Sequence, residues 1–141
     1  GHSDSPLMTM KIEIVTPYQN ITSDEADEIY AVGPKGEFGV LPGHAHYITP
    51  LATGRLYYRK GGKRFAFVVE GGFLEVYEEK VIVMADHVEK AEDLDLAKSK
   101  QELDKLEKQL SQGTLEPEQY EQLQRRRLKE QVRVQTLSEA A

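Results

Sequence analysis

Apolar and polar residues follow two different periods along this chain, and the change falls near Asp86. Before it, β-branched and aromatic residues alternate with polar ones and glycines interrupt the runs. After it, Glu, Lys, Gln, Leu and Arg dominate, and Gly113 is the only glycine. Alternation marks half-buried strands, and recurrence at three and four residues marks helices. Lys11-Ile12-Glu13-Ile14-Val15 alternates and stops at Thr16-Pro17. Residues 26–32 form a second strand pattern, ended by Gly33-Pro34-Lys35-Gly36. Arg55-Leu56-Tyr57-Tyr58-Arg59 and Lys63-Arg64-Phe65-Ala66-Phe67-Val68-Val69 flank Gly61-Gly62. Two glycines between apolar runs predict a hairpin, because primed turns need φ > 0. Phe73-Leu74-Glu75-Val76-Tyr77 follows Gly71-Gly72, a turn or bulge, and residues 80–85 close the series. Short strands so spaced predict a β-sandwich or barrel. Phe65, Phe67 and Val69 share one face, with Val81 and Val83 also expected inside. Ala66 and Val68 make the opposite face apolar too, so that strand is central or covered.

The second half predicts two helices. Asp93 is placed to cap the first, with Asp95 in its opening turn. Leu96, Leu103 and Leu110 recur every seven residues, and Leu106 completes the stripe. Gly113 is placed to end that helix and Pro117 to begin the next, which predicts an antiparallel hairpin. The second helix, 117–137, has the poorer stripe. Tyr120, Leu123, Val134 and Leu137 share a face with Arg127 between them, while Leu128 and Val132 lie off it. Burying one Leu contributes only about 1.5–3 kcal/mol, against about 1–2 kcal/mol for ordering each residue. Its docking is therefore expected to be marginal, so that it can leave one surface for another.

Composition narrows the function classes. The chain has 141 residues and a formal charge of −6, which fits one small domain with an appendage. Net acidity argues against nucleic-acid binding. With no cysteine there is neither a disulfide framework nor thiolate chemistry. No apolar run approaches the roughly 20 residues of a membrane-spanning helix, and no signal peptide is visible. Residues 1–9 read as an expression scar and start, 10–87 as the β domain and 88–141 as the helical hairpin.

Candidate chemistry is sparse. His44-Ala45-His46 would point to opposite faces of a strand and has no third ligand nearby, so a metal site is not expected. No nucleophile elbow, P-loop or zinc-binding helix motif occurs. Gly71-Gly72 is not followed by a helix, which excludes a dinucleotide fingerprint. Arg125-Arg126-Arg127, with Lys129 and Arg133, is a basic run in an acidic chain. It is either a solvated face offset by Glu121 and Glu130 or a surface for an acidic protein partner. Gly36-Glu37-Phe38-Gly39-Val40-Leu41-Pro42-Gly43-His44-Ala45 is too punctuated for an ordinary helix or a long regular strand. It reads as a shaped loop whose tip carries Glu37 and Phe38, unless Phe38 folds into the core.

That stretch, followed by Glu70-Gly71-Gly72-Phe73-Leu74-Glu75-Val76 and Val81-Ile82-Val83-Met84-Ala85-Asp86, resembles the epsilon subunit of bacterial F-type (F1Fo) ATP synthases. The resemblance runs from about residue 10 to 141, with His46 standing where the family usually has Pro. It implies a ten-stranded β-sandwich followed by a two-helix antiparallel hairpin. It implies a non-catalytic rotor subunit of the central stalk, bound to the gamma subunit and resting on the ring of c subunits. The loop at 37–44 would contact the ring through Glu37, Phe38, Val40 and His44. The helical tail would permit ATP hydrolysis when folded and inhibit it when extended into the α/β head. There Arg125, Arg126, Arg127 and Lys129 would meet an acidic segment of the β subunit. The implied location is peripheral, on the cytoplasmic face of the bacterial plasma membrane, with no direct membrane insertion.

Some bacterial members of that family bind ATP as a regulatory ligand through Ile or Leu, Asp, two variable residues, Arg and Ala. Here Leu94-Asp95-Leu96-Ala97-Lys98-Ser99 matches at Asp95, and Glu89 also suits the pattern. Lys98 replaces the Arg and loses its planar fork, so ATP binding is expected to be weak or absent. No other cofactor is implied. The competing readings are a free-standing β-sandwich adaptor whose basic hairpin binds an acidic protein, and a small nucleotide sensor.

Overall fold

Alternation in Met10–Val15 (β1) buries Met10, Ile12 and Ile14 on one side of a strand. A computed structural model places this strand inside a β-sandwich and describes residues 8–43 and 45–139. Residues 1–7, most of the presumptive scar, and His44 lie outside the described residues. The other strands are Asn20–Ala26 (β2), Glu28–Gly33 (β3), Gly36–Val40 (β4), Tyr47–Pro50 (β5), Gly54–Lys60 (β6), Lys63–Glu70 (β7), Phe73–Tyr77 (β8), Lys80–Met84 (β9) and His87–Lys90 (β10). One sheet runs β2-β1-β9-β8-β5 and the other β10-β7-β6-β3-β4. Among the described residues, only β1 and β9 pair in parallel. The core lies between the sheets and is built from strand residues such as Ile12, Ile29, Leu56, Val69, Leu74 and Val83.

The predicted Gly61-Gly62 hairpin joins β6 to β7, with φ of 57° and 80° at the two glycines. Phe67, Val69, Val81 and Val83 are buried as expected, while Phe65 is half-buried at the margin of the core. The run 26–32 is not one strand. The chain bends at Asp27 and passes from the first sheet to the second, so β2 ends where β3 begins. The Asp27 carboxylate fixes this corner by accepting from the Gly61 amide at 3.0 Å. Strand β2 escapes a hydrophobic reading because it is an edge strand rich in polar residues. It is tied to the facing sheet by the Tyr58 hydroxyl, which donates to Asp24 at 2.7 Å, and by Lys60, also 2.7 Å from Asp24.

Gly71-Gly72 is not a hairpin turn, since β7 and β8 belong to different sheets. The pair carries the chain across the sandwich with φ of 63° and 91°. A Cβ on Gly72 would lie 2.0 Å from the Met84 carbonyl oxygen, whereas one on Gly61 would meet nothing within 4 Å. Gly72→Ala is therefore expected to cost about 3 kcal/mol or more and Gly61→Ala about 1 kcal/mol, the backbone strain alone. Urea melts of the two variants check the difference. Equal losses would show that the crossing tolerates a side chain.

The sandwich continues to Lys90 rather than ending at residue 87, because β10 pairs with β7. A short 3-10 turn, Ala91–Asp93, leads to helix α1 (Leu96–Leu110). Asp95, not Asp93, caps α1, accepting from the Lys98 amide at 3.2 Å. The helix ends on Ser111, whose hydroxyl donates to the Lys108 carbonyl, and Gly113 lies in the following turn. Pro117 opens helix α2 (Pro117–Ser138) behind a capping box of Glu116 and Gln119. Leu106 is fully buried on α1. On α2 the buried residues are Val132, Thr136 and Glu130, while Tyr120 is exposed. The expected stripe misplaced Val132 because α2 is gripped from two sides, by α1 and by β6 and β7.

Candidate interaction surfaces

The first surface is the β4 edge. Glu37 and Gly39 point outward, and Phe38 and Val40 point toward the core opposite Ala31 and Ile29. The stretch read as a shaped loop therefore begins as a regular strand, hidden by its glycines. Gly39 is needed there because the Tyr30 ring would lie 2.9 Å from a Cβ. Phe38 packs against the core and Val40 is buried, so neither offers the exposed tip expected of it. Glu37 is exposed, and its carboxylate accepts from Arg55 at 2.8 Å. Leu41, which the sequence reading passed over, is 62% exposed just beyond the strand. His44 lies outside the described residues.

The second surface is the basic run of α2. Of the two acids expected from its own helix, Glu130 pairs with Arg133, while Arg126, Arg127 and Lys129 find theirs elsewhere. Arg126 pairs with Glu102 of α1 at 3.2 Å and Arg127 with Glu107 at 4.0 Å. Lys129 reaches the sandwich, 2.8 Å from Glu70 and 3.6 Å from Glu89. Arg125 is exposed, with no ion-pair partner among the described residues. Glu130 is buried and bonds Arg133 at 2.8 Å, and its second oxygen has no partner. In this arrangement the basic run is largely neutralised by α1 and the sandwich.

The third cluster centres on Glu89 of β10. Arg133 grips its carboxylate with two bonds of 2.8 and 2.5 Å, and His87 lies 3.3 Å away. Burial disfavours the charge on Glu89. The hydrogen bonds and charge of Arg133, joined by Lys129, overcome that and hold its pKa down to about 2. Asp95 is engaged as the cap of α1, and Lys98 is exposed. No ion pair among the described residues joins Lys98 to Glu89 or Asp95. Of the three candidate nucleotide contacts, Glu89 is taken up by Arg133 and Asp95 by the start of α1.

A fourth surface was not singled out from the sequence. Helix α2 lies against the sheet containing β6 and β7 and α1 lies on α2, so among the described residues the outer face of the other sheet is left bare. Ile48, Phe73, Tyr77 and Met84 are exposed on it. Pairing of Phe73 with Met84, and of Glu75 with both Ile48 and Ile82, puts these residues side by side. The His46 ring packs against Tyr77 in a tilted arrangement, centroids 4.7 Å apart. The alternation of Phe73, Glu75 and Tyr77 carried this signal, since their neighbours Leu74 and Val76 are the buried pair. Among the described residues, no helix is long and apolar enough to cross a membrane and no acid–histidine group is arranged to hold a metal ion.

Comparison with known proteins places the chain in a family. Residues 9–91 match the model of the ATP synthase delta/epsilon chain β-sandwich domain. The ATP synthase epsilon chain of Trichlorobacter lovleyi is 37% identical over 132 residues, covering 94% of this chain and 96% of that one. The epsilon chain of Geobacter metallireducens is 46% identical over 98 residues, covering 70% and 71%. In solved structures, a chain of the Euglena gracilis mitochondrial ATP synthase superposes with a TM-score of 0.73 at 20% identity, covering 98% of this chain and 83% of that one. A chain of the Tetrahymena thermophila mitochondrial ATP synthase gives 0.59 at 14% identity, covering 91% and 96%. At those identities the two structures show a shared fold.

Proposed function

The chain belongs to the epsilon-chain family of F-type ATP synthases, and on that footing we propose that it is a non-catalytic rotor subunit joining the gamma subunit to the c ring. Its helical tail restrains ATP hydrolysis when it leaves the sandwich and enters the α/β head. The observation that carries this reading is the separation of duties in the fold. The core cluster contains no helical side chain, the helical hairpin rests on one sheet through α2, and the other sheet keeps an apolar face that nothing among the described residues covers. An exposed patch of that kind marks a protein interface. The superposed chains come from assemblies described as F1 with a c ring and as a central stalk with a c ring. Attachment to such an assembly gives a peripheral location on the cytoplasmic face of the bacterial plasma membrane. ATP binding is weak or absent, because Arg133 occupies the Glu89 carboxylate and Lys98 lacks a guanidinium fork.

Gamma is assigned to the bare apolar face and the ring to Glu37 and Leu41. Phe73→Glu with Met84→Glu is expected to weaken co-purification with gamma at least about tenfold, through loss of buried aromatic and thioether area. Glu37→Lys with Leu41→Asp should leave gamma binding intact and reduce retention on the c ring. If neither pair of changes alters its assembly step, a free-standing adaptor replaces the rotor reading.

A further inference from the structure

On the sheet covered by the helices, cations gather around one aromatic ring. The guanidinium of Arg64 lies 3.9 Å from the centre of the Tyr57 ring and that of Arg55 lies 5.0 Å from it. Tyr57 in turn stacks on Tyr30 at 4.9 Å. A guanidinium over an aromatic face is fixed in orientation, and two so close repel each other unless an anion joins them. Arg55 is 89% buried by the surrounding chain, with a side-chain exposure of 11%. The Nε atoms of Arg55 and Arg64 are buried and have no hydrogen-bond partner. The anion comes from the far end of α2. The Glu139 side chain pairs with Arg55, and its main-chain carbonyl accepts from Arg64 at 3.2 Å.

Glu139 is the residue that caps the C-terminus of α2. A carboxylate there sits at the negative end of the helix dipole, where it is disfavoured. Its position makes physical sense only if the sandwich supplies positive charge. From this geometry we infer that Arg55 and Arg64, seated on Tyr57, form a binding site for the end of α2, Arg55 taking the Glu139 carboxylate and Arg64 its main-chain carbonyl, which latches α2 to the sandwich. The inference rests on the mobile-tail reading given above. It adds a consequence, since Arg55 also holds Glu37, the proposed ring contact, at 2.8 Å. When the tail departs, Arg55 loses one of its two carboxylates and Arg64 loses a carbonyl partner, beside the edge that faces the ring.

The chain has no cysteine, so a pair of labels can be introduced cleanly at the exposed positions Lys35→Cys and Gln131→Cys. Spin or fluorescence distances in the full chain then count tails docked and undocked. Glu139→Gln and Arg55→Gln are each expected to raise the undocked fraction about fivefold. The two together should do no more than either alone, and Arg55→Glu with Glu139→Arg should restore docking. Circular dichroism on each variant confirms that the sandwich is folded. If the acid only burdens the helix dipole, Glu139→Gln will leave docking unchanged or tighten it, and the latch is overturned. Arg133→Gln separates the two readings. Release of the tail by Arg133→Gln but not by Glu139→Gln removes the latch and keeps the mobile tail. No release by either, even at about 1 M salt where screening acts within about 3 Å, removes both.

Discussion

Deleting everything after Gln112 is expected to leave a folded sandwich that binds gamma and to raise ATP hydrolysis by the assembled F1. The core cluster draws its residues from the strands and their connections, with Val88 its last contributor, and contains no helical side chain. The cut therefore opens no cavity in it. Helix α2 packs on β6 and β7 and α1 packs on α2, so removing α2 also frees α1 from its main support and exposes Leu106. The tail should be lost as a unit. If it is inserted in nine of ten complexes, its removal raises hydrolysis about tenfold. Replacing Arg125, Arg126 and Arg127 with Gln should achieve part of that, and added salt should imitate the change. Steady-state hydrolysis by F1 reconstituted with each variant is the measurement. Unchanged rates in both would make the tail structural. A sandwich that melts tens of degrees lower after truncation would mean that the helices complete the fold.

What could be read in the sequence follows from which residues had one environment and which had two. Strand β1 was legible because one side faces the core, and the β6–β7 hairpin because Gly61 and Gly62 serve only the turn. Strand β2 was not, because its edge position leaves little apolar signal and its exit at Asp27 runs straight into β3. Strand β4 was concealed by glycines that serve packing, Gly39 against Tyr30 above all, and so looked like a loop. That error moved Phe38 and Val40 from the core to an imagined tip. On α2 the stripe was sought for one partner, but the helix has two, and Val132 and Thr136 are buried off that stripe. Families of contacts between distant acids and bases, such as Glu89 with Arg133 and Glu139 with Arg55, leave no local pattern. Residue types and spacing indicated a basic helix, and only the fold shows which acids meet it.

Those distant pairs set the largest expected effect on the tail itself. Glu89→Gln should weaken docking of α2 by about 2 kcal/mol, because it leaves Arg133 half-buried beside Lys129 with only Glu130 to offset it. The acid dependence has a definite sign. With Arg133 holding it, the Glu89 carboxyl is lowered from the ordinary value of 4.5 to about 2. A group whose pKa is lowered on folding stabilises the folded form above its ordinary value and ceases to do so below the lowered one. The contribution of Glu89 is thus complete above about pH 5 and fades between roughly pH 4.5 and 2. Groups facing it are His87 on its own strand, Lys129 and Arg133 on α2, and beyond them Glu70 and Glu130. In a pH series on the doubly labelled chain, docking should hold from neutrality to about pH 5 and then fall, with the sandwich followed in parallel by circular dichroism. Glu89→Gln should start from weaker docking and show a shallower fall across that window. If both chains lose docking along the same curve, the Arg133 bonds to Glu89 do not govern the tail, and its hold must be sought in Val132, Thr136 and the apolar contacts around them.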